Sequence, residues 1–137
     1  MSDRIRASVS KKNRYYISKH RYYELKHFCL QYYEWKDLYF ALEGIKGKFP
    51  DGMPHGYELG DPTANLAMLK GMYADRMRMI EQACIAADAS IYGYIFQSVT
   101  KEVPFNYLKS VESIPCEKDY FYDRRRKFFW VLDQMRK

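Results

Sequence analysis

The residues that point most clearly to chemistry are four consecutive cations, Arg124-Arg125-Arg126-Lys127, near the end of the chain. They lie inside an aromatic-rich run that extends from Tyr120 to Trp130. Lys and Arg neutralise phosphates, and Arg can also make bidentate contacts to guanine. The pattern therefore favours an anionic partner, and nucleic acid above all.

These cations are predicted to lie on the second helix of a helix-turn-helix. A short apolar helix is expected over 104–112, because Pro104 suits a first helical turn, where its missing N–H is not needed. Pro115 disfavours helix in the residue before it, so a break is expected at 113–116. A longer helix then follows over about 117–135. In this motif the N-terminal part of the second helix enters the major groove.

The face of this last helix that points away from its apolar residues 121, 128 and 132 is expected to meet the DNA. The candidate readers of base edges are Lys118, Asp119, Tyr122, Asp123 and Arg126. Phosphate contacts are expected instead from Arg124, Lys127 and Arg14, which would position the protein without specifying sequence. Since Asp119 and Asp123 would repel phosphate, a merely solvated basic face is the alternative interpretation.

The charge of the chain is uneven, although its formal net value is +6. Residues 1–30 hold eight Lys or Arg against two acids, whereas residues 31–90 hold six against nine. Residues 1–17 are basic and lack an apolar stripe, so they are predicted to form a flexible arm. Its cations Lys11, Lys12 and Arg14 would add sequence-independent DNA contacts. The alternative is a solvated tail.

The remaining pattern predicts one all-α domain over 18–137. Apolar residues at helical spacing predict long helices at 19–43 and 62–87, and a third helix at 89–101. The expected architecture is two long antiparallel helices followed by a three-helix helix-turn-helix unit at about 89–136. A stretch rich in Gly and Pro, 44–60, predicts a loop.

Patterns for other chemistry are weak. His20, His27 and Cys29 lack a nearby fourth ligand, so no metal site is expected. The third histidine, His55, lies in the predicted loop, which contains no other histidine. Because no phosphate loop, nucleophile elbow or zinc-protease motif is present, we expect neither an enzyme nor a cofactor.

The cellular compartment is predicted from the cysteines and from the apolar runs. The cysteines are odd in number, far apart and without a C-x-x-C pairing, which favours a reducing compartment. Neither a signal peptide nor an apolar run of about 18 residues is evident. A cytoplasmic protein without membrane contact is therefore expected.

The stretch 94–132 resembles small phage-encoded transcription regulators with a sigma-factor-like C-terminal helix-turn-helix, the ArpU/RinA type of late-gene activator. The resemblance is carried by Val99-Thr100, Tyr107-Leu108, Ile114-Pro115-Cys116 and the run from Phe121 to Phe129. Residues 9–16 and 19–22 also look like proteins from prophages of Gram-positive bacteria. The resemblance implies a DNA-binding transcription regulator in the cytoplasm of a bacterial host, with double-stranded DNA as its partner. Host RNA polymerase, another host protein and a second copy of the chain in a homodimer stay open as further partners.

Two other functions stay open. A phage protein-interaction module, such as an anti-defence or host-takeover inhibitor, would use an aromatic surface, since Tyr is enriched at interfaces. That surface would consist of Tyr15, Tyr16, Tyr23 and Tyr33. A packaging factor similar to a small terminase subunit would also carry a helix-turn-helix, and a ring-shaped oligomer would favour it.

Overall fold

The computed structural model describes residues 11–44 and 62–137. All regular structure in these two ranges is helical, so the prediction of an all-α fold is confirmed. The helices are α1 (Lys19–Leu30), α2 (Tyr32–Glu43), α3 (Pro62–Ala87), α4 (Tyr92–Lys101), α5 (Phe105–Ser110) and α6 (Lys118–Met135). Except for Gly44, the predicted Gly/Pro loop lies outside the described residues, as do residues 1–10 of the predicted arm.

The chain divides into two compact units. Of the described residues, 11–30 and 79–137 form what we call the terminal unit, and 31–44 and 62–78 form the central unit. The sequence predicts one helical domain over 18–137, and the structure distributes these residues between the two units.

The first predicted helix is wrong in one respect, because it is divided at Gln31 into α1 and α2. Leu25 and Cys29 of α1 are buried in the terminal unit, whereas Tyr32 and Trp35 of α2 are buried in the central unit. The two segments thus serve different cores. Their apolar residues nevertheless form one continuous stripe in the sequence, so spacing alone could not locate the break.

The core of the terminal unit is formed where α1, α4 and α6 pack against one another. Its fully buried side chains include Leu25, Ile80, Ile95, Leu108, Phe121, Phe128 and Leu132. Each such side chain contributes on the order of 2 kcal/mol through removal of its apolar surface from water. Three of them belong to α6, so this helix is firmly packed into the core of the terminal unit.

The central unit pairs α2 with residues 62–78 of α3 in antiparallel directions. Arg76 lies over the ring of Trp35 near the start of α2, at 5.5 Å from the ring centre. Lys70 pairs with Glu43 at the other end of α2, with Nζ 2.6 Å from the carboxylate. Residues later in α2 therefore contact residues earlier in α3, as expected of an antiparallel pair.

In the terminal unit, two residues other than glycine adopt the left-handed region beyond helix ends. Glu102, with φ 56°, directly follows α4, and Ser113, with φ 55°, lies three residues beyond the end of α5. After Glu102, the next N–H donates to the carbonyl of Gln97 at 3.5 Å; after Ser113, the next N–H donates to that of Leu108 at 2.9 Å. These bonds satisfy carbonyls that the helix ends leave open.

The connection between α5 and α6 is longer than predicted. The helix predicted over 104–112 spans only Phe105–Ser110, so residues 111–117 join it to α6. A typical helix-turn-helix joins its helices by three or four residues. The additional residues have a packing role, because Ile114 in this connection is buried.

Candidate nucleic-acid interface

Residues 13–17 form a turn that packs on α6. The side chain of Asn13 accepts a hydrogen bond from the N–H of Tyr15 at 2.8 Å, which is an Asx-type turn. The ring of Tyr15 lies 6.0 Å from that of Trp130, and both Tyr15 and Ile17 are buried. The stretch that the sequence predicts as a flexible arm thus includes two apolar side chains, Tyr15 and Ile17, that are buried in the terminal unit.

The ring of Tyr15 also brings together two cations that the sequence predicts as separate phosphate contacts. The guanidinium carbon of Arg14 is 4.7 Å from the ring centre, and that of Arg124 is 6.0 Å from the same point. Cations are attracted to the negative face of an aromatic ring at such distances. The predicted arm cations Lys11, Lys12 and Arg14 are all exposed.

The middle of α6 uses its own carboxylate to hold its arginines. Nε and Nη2 of Arg124 both donate to Oδ2 of Asp123, the first at 3.1 Å. The other oxygen of Asp123 lies 4.0 Å from Nη2 of Arg126. The hydrogen bond to Asp123 is the main cause that raises the pKa of Arg124. Asp123, predicted as a base reader, thus contacts arginines of its own helix.

Arg125 points towards the core of the terminal unit. Its Nε donates to Oγ of the buried Ser98 on α4 at 2.9 Å, and its guanidinium lies over the ring of Phe129 at 5.1 Å. Helical periodicity also places Arg125 on the apolar side, because it lies four residues after Phe121 and three before Phe128. One of the four consecutive cations is therefore structural.

The first turn of α6 is the part of the predicted reading face that is most open. Lys118 and Asp119 are exposed, whereas Tyr122 is half-buried beside the ring of Phe105, at 6.4 Å between ring centres. Lys127, further along the helix, is half-buried as well. Residues at the start of a second helix are those that reach base edges in this class of motif.

A hydrogen-bond cluster around Asp88 fixes this first turn. The hydroxyl of Tyr120 donates to Asp88, which also accepts from the N–H of Ser90 at 2.9 Å and from its hydroxyl. Burial raises the pKa of Asp88, but the hydrogen bonds from Ser90 and Tyr120 outweigh it, so the pKa is lowered. The hydrogen bond that Tyr120 donates to Asp88 also raises the pKa of Tyr120.

The Asp88 cluster also explains why α4 begins at Tyr92 and not at the predicted residue 89. A helix over the predicted residues 89–101 would have Asp88 at its N-cap position. Instead, its bonds to Ser90 hold residues 89–91 in a turn before the helix begins.

The far end of α6 is held by α1. Nε of Arg21 donates to Oδ1 of Asp133 at 2.7 Å, and Nη2 of Arg21 donates to the carbonyl of Arg136 at 3.3 Å. The side chain of Asp133 is only 11% exposed, so this pair is largely shielded from water. Tyr22 adds an edge contact to Phe129, with ring centres 5.0 Å apart.

Sequence reasoning missed the residues that position this candidate interface. The alternation of Tyr15 and Ile17 was a local signal that residues 11–17 could pack. Nothing local indicated that Tyr120 meets Asp88 or that Arg21 meets Asp133, because these partners are 32 and 112 residues apart.

Among the described residues, the cysteines and histidines form no further site. All three cysteines are free thiols, and burial raises the pKa of Cys29 and Cys84. Over residues 11–44 and 62–137, no group of three or more His, Cys, Asp or Glu side chains could hold a metal ion. Nor is any helix in these ranges long and apolar enough to cross a membrane.

The comparisons with known proteins were negative. No protein-family model, curated protein or solved structure matches the chain.

Proposed function

We propose that this protein binds double-stranded DNA as a phage-type transcription regulator. The face that binds would consist of the first turn of α6 and the cations of residues 11–14. The observation that carries the proposal is the position of Tyr15, whose ring lies near both Arg14 of the turn and Arg124 of α6. The turn that carries Arg14 therefore lies beside α6, although the two come from opposite ends of the sequence.

The first turn of α6 suits base readout for two reasons. Lys118 and Asp119 are exposed, so their side chains can reach a groove. The bond between Tyr120 and Asp88, together with the buried Phe121, fixes the backbone that carries them. Lys can donate to guanine and Asp can accept from cytosine, so both residue types can discriminate bases.

Residues 11–14 suit phosphate contacts. Three of the four are cationic and exposed, and the packing of Tyr15 on Trp130 keeps the neighbouring Arg14 near α6. A segment that is already anchored has less conformational freedom to lose when it binds. The arm would thus add affinity without reading sequence.

A salt titration of binding tests the phosphate part of the proposal. Binding of a random-sequence duplex would be followed by fluorescence anisotropy, for the wild type and for the triple variant Lys11→Ala, Lys12→Ala, Arg14→Ala. The slope of log affinity against log salt should fall by about three units, one for each lost contact. The matched control removes three exposed cations elsewhere, by Lys36→Ala, Lys101→Ala and Lys137→Ala, and should leave the slope nearly unchanged.

A binding-site selection tests the regulator part. The wild type should enrich a consensus, and Lys118→Ala should relax it at one position while the arm triple variant keeps it. Absence of duplex binding by the wild type, at about 50 mM salt where such contacts are strong, would overturn the proposal. That result would favour the protein-interaction module.

A further inference from the structure

We infer that Asp123 limits sequence-independent DNA binding, because its carboxylate holds Arg124 and Arg126 away from phosphates. This inference rests on the proposed function and gives that function a residue that sets specificity. It concerns a part of α6 that lies beyond the exposed first turn.

The carboxylate of Asp123 occupies donors that a phosphate would otherwise use. Two nitrogens of Arg124 donate to one of its oxygens, and Nη2 of Arg126 lies 4.0 Å from the other. Charge-assisted bonds of this kind are roughly twice as strong as neutral ones. A phosphate must therefore displace Asp123 before it can bind Arg124 fully.

Asp123 is itself placed to repel a phosphate. Its side chain is 36% exposed, compared with 16% for Arg124 and 24% for Arg126. An approaching backbone therefore meets the negative charge more readily than the cations behind it. Like charges at short range disfavour binding even where water screens them.

Arg124 is further restrained by aromatic rings. Its guanidinium carbon lies 5.5 Å from the ring centre of Tyr120 and 6.0 Å from that of Tyr15. Since Tyr120 is bonded to Asp88 and Tyr15 is packed on Trp130, neither ring is free to follow Arg124 to a ligand. To bind a phosphate, Arg124 would have to give up its contacts with Asp123, Tyr120 and Tyr15.

Arg126 is held less completely. Its Nε is buried and has no hydrogen-bond partner among the described residues. Its contact with Asp123 is at the outer limit for an ion pair, at 4.0 Å. We therefore expect Arg124 to account for most of the effect of Asp123, with a smaller part from Arg126.

The chain offers a matched control in Asp37, which is not part of the proposed binding face. It is exposed on α2 and forms no ion pair with a described residue. Asp37→Asn and Asp123→Asn change the net charge equally. Only Asp123→Asn releases arginines.

The test is a double-mutant cycle on binding of a random-sequence duplex, measured over a range of salt concentrations. Asp123→Asn should raise affinity roughly 5- to 10-fold at low salt and steepen the salt slope by about one unit, as one new phosphate contact does. Asp37→Asn should raise affinity by no more than about twofold, as a screened exposed charge does. In competition with the selected site, Asp123→Asn should bind less selectively.

Arg124→Ala is the second mutation of the double-mutant cycle. In the wild-type background it should change affinity by less than about twofold, because the arginine is already occupied. In the Asp123→Asn background it should remove most of the gain. In the Asp37→Asn background Arg124→Ala should again have little effect.

Two outcomes would overturn the inference while leaving the proposed function intact. One is an equal gain from Asp37→Asn and Asp123→Asn, and the other is an equal loss from Arg124→Ala in the wild-type and Asp123→Asn backgrounds. Failure of every form, wild type included, to bind duplex would overturn the proposed function itself. Thermal unfolding would be recorded for each variant, and Asp123→Ala would replace Asp123→Asn if the latter did not fold.

Discussion

Residues 11–14 and residues 124–127 are both short basic stretches, but their cations differ in exposure and in bonding partners. Lys11, Lys12 and Arg14 are exposed. In the second stretch, Arg125 is bonded to Ser98 and Arg124 to Asp123. The run with the higher charge density therefore offers fewer cations to a partner than its sequence suggests.

This difference shows that the neighbours of a cation decide its availability. An amphipathic helix must bury one face, and arginines near that face acquire buried or acidic partners. A short turn has fewer neighbours and leaves its cations to solvent. We therefore expect the helical stretch to respond to mutation mainly in stability, and the turn mainly in binding.

The largest effect on stability should come from detaching the turn of residues 13–17 from α6. Tyr15→Ala removes a buried ring that contacts Trp130 and lies near Arg124, and it should lower the free energy of unfolding by about 2–4 kcal/mol. Its neighbour Tyr16 is only half-buried, so Tyr16→Ala should cost less than about 1 kcal/mol. Urea denaturation followed by circular dichroism measures both. Equal effects would mean that the turn is not anchored by Tyr15.

A second prediction contrasts two cations inside the helical stretch. Arg125→Ala leaves the buried hydroxyl of Ser98 without its partner and should cost about 1–2 kcal/mol of stability. Lys127→Ala should change stability by no more than about 0.5 kcal/mol, as at an ordinary surface position. For duplex affinity the order should reverse. A greater loss of binding for Arg125→Ala, at temperatures where both variants are folded, would contradict the division between structural and available cations.

The third prediction concerns the pH dependence of the Asp88 cluster, which fixes the start of α6. Because the folded-state pKa of Asp88 is lowered, its contribution is present above the unfolded value of 3.8 and is lost as pH falls through the folded value. Because the pKa of Tyr120 is raised, the bond it donates persists below pH 10 and is lost as pH rises through its folded value.

Asp88→Asn should therefore flatten the acid limb of a plot of melting temperature against pH, with a loss at neutral pH of about 0.5–1 kcal/mol. Tyr120→Phe should flatten the alkaline limb and leave the acid limb largely in place. Identical profiles for Asp88→Asn and the wild type below pH 5 would show that the cluster does not stabilise the fold.

The smallest effect is expected at the connection that leads into α6. Ser113 has φ 55°, a region that costs residues with a side chain more than glycine. Ser113→Gly should therefore raise the free energy of unfolding by roughly 0.5 kcal/mol, since relief of strain exceeds the added freedom of the unfolded chain. Ser110 is exposed and ends α5, where its hydroxyl donates to the carbonyl of Asn106, so Ser110→Gly should instead be destabilising. Differential scanning calorimetry of the pair would reveal the opposite signs.

Local signals in the sequence were sufficient for part of the fold. The bounds of α3 and the C-terminal end of α6 agree with the predicted residues, because Pro62 and the apolar spacing are strong local signals. The break at Gln31 was not predictable, since the apolar stripe continues through it. It arises from packing into two different cores.

For the candidate interface, the residue types were predictable but their partners were not. The wheel of α6 placed Arg125 inward, because periodicity fixes which face is apolar. The contact of Tyr15 with Trp130 joins residues at opposite ends of the chain. Such contacts depend on how the helices pack, which a pattern along one segment cannot encode.

The division into two compact units has an optical consequence. The chain contains two tryptophans, and each unit has one of them, Trp35 in the central unit and Trp130 in the terminal unit. Indole emission moves to longer wavelength when the ring becomes exposed to water. Trp130→Phe would leave a fluorophore that reports on the central unit, and Trp35→Phe would leave one beside Tyr15. A pair of single-tryptophan proteins could thus reveal whether the two units melt together or one at a time.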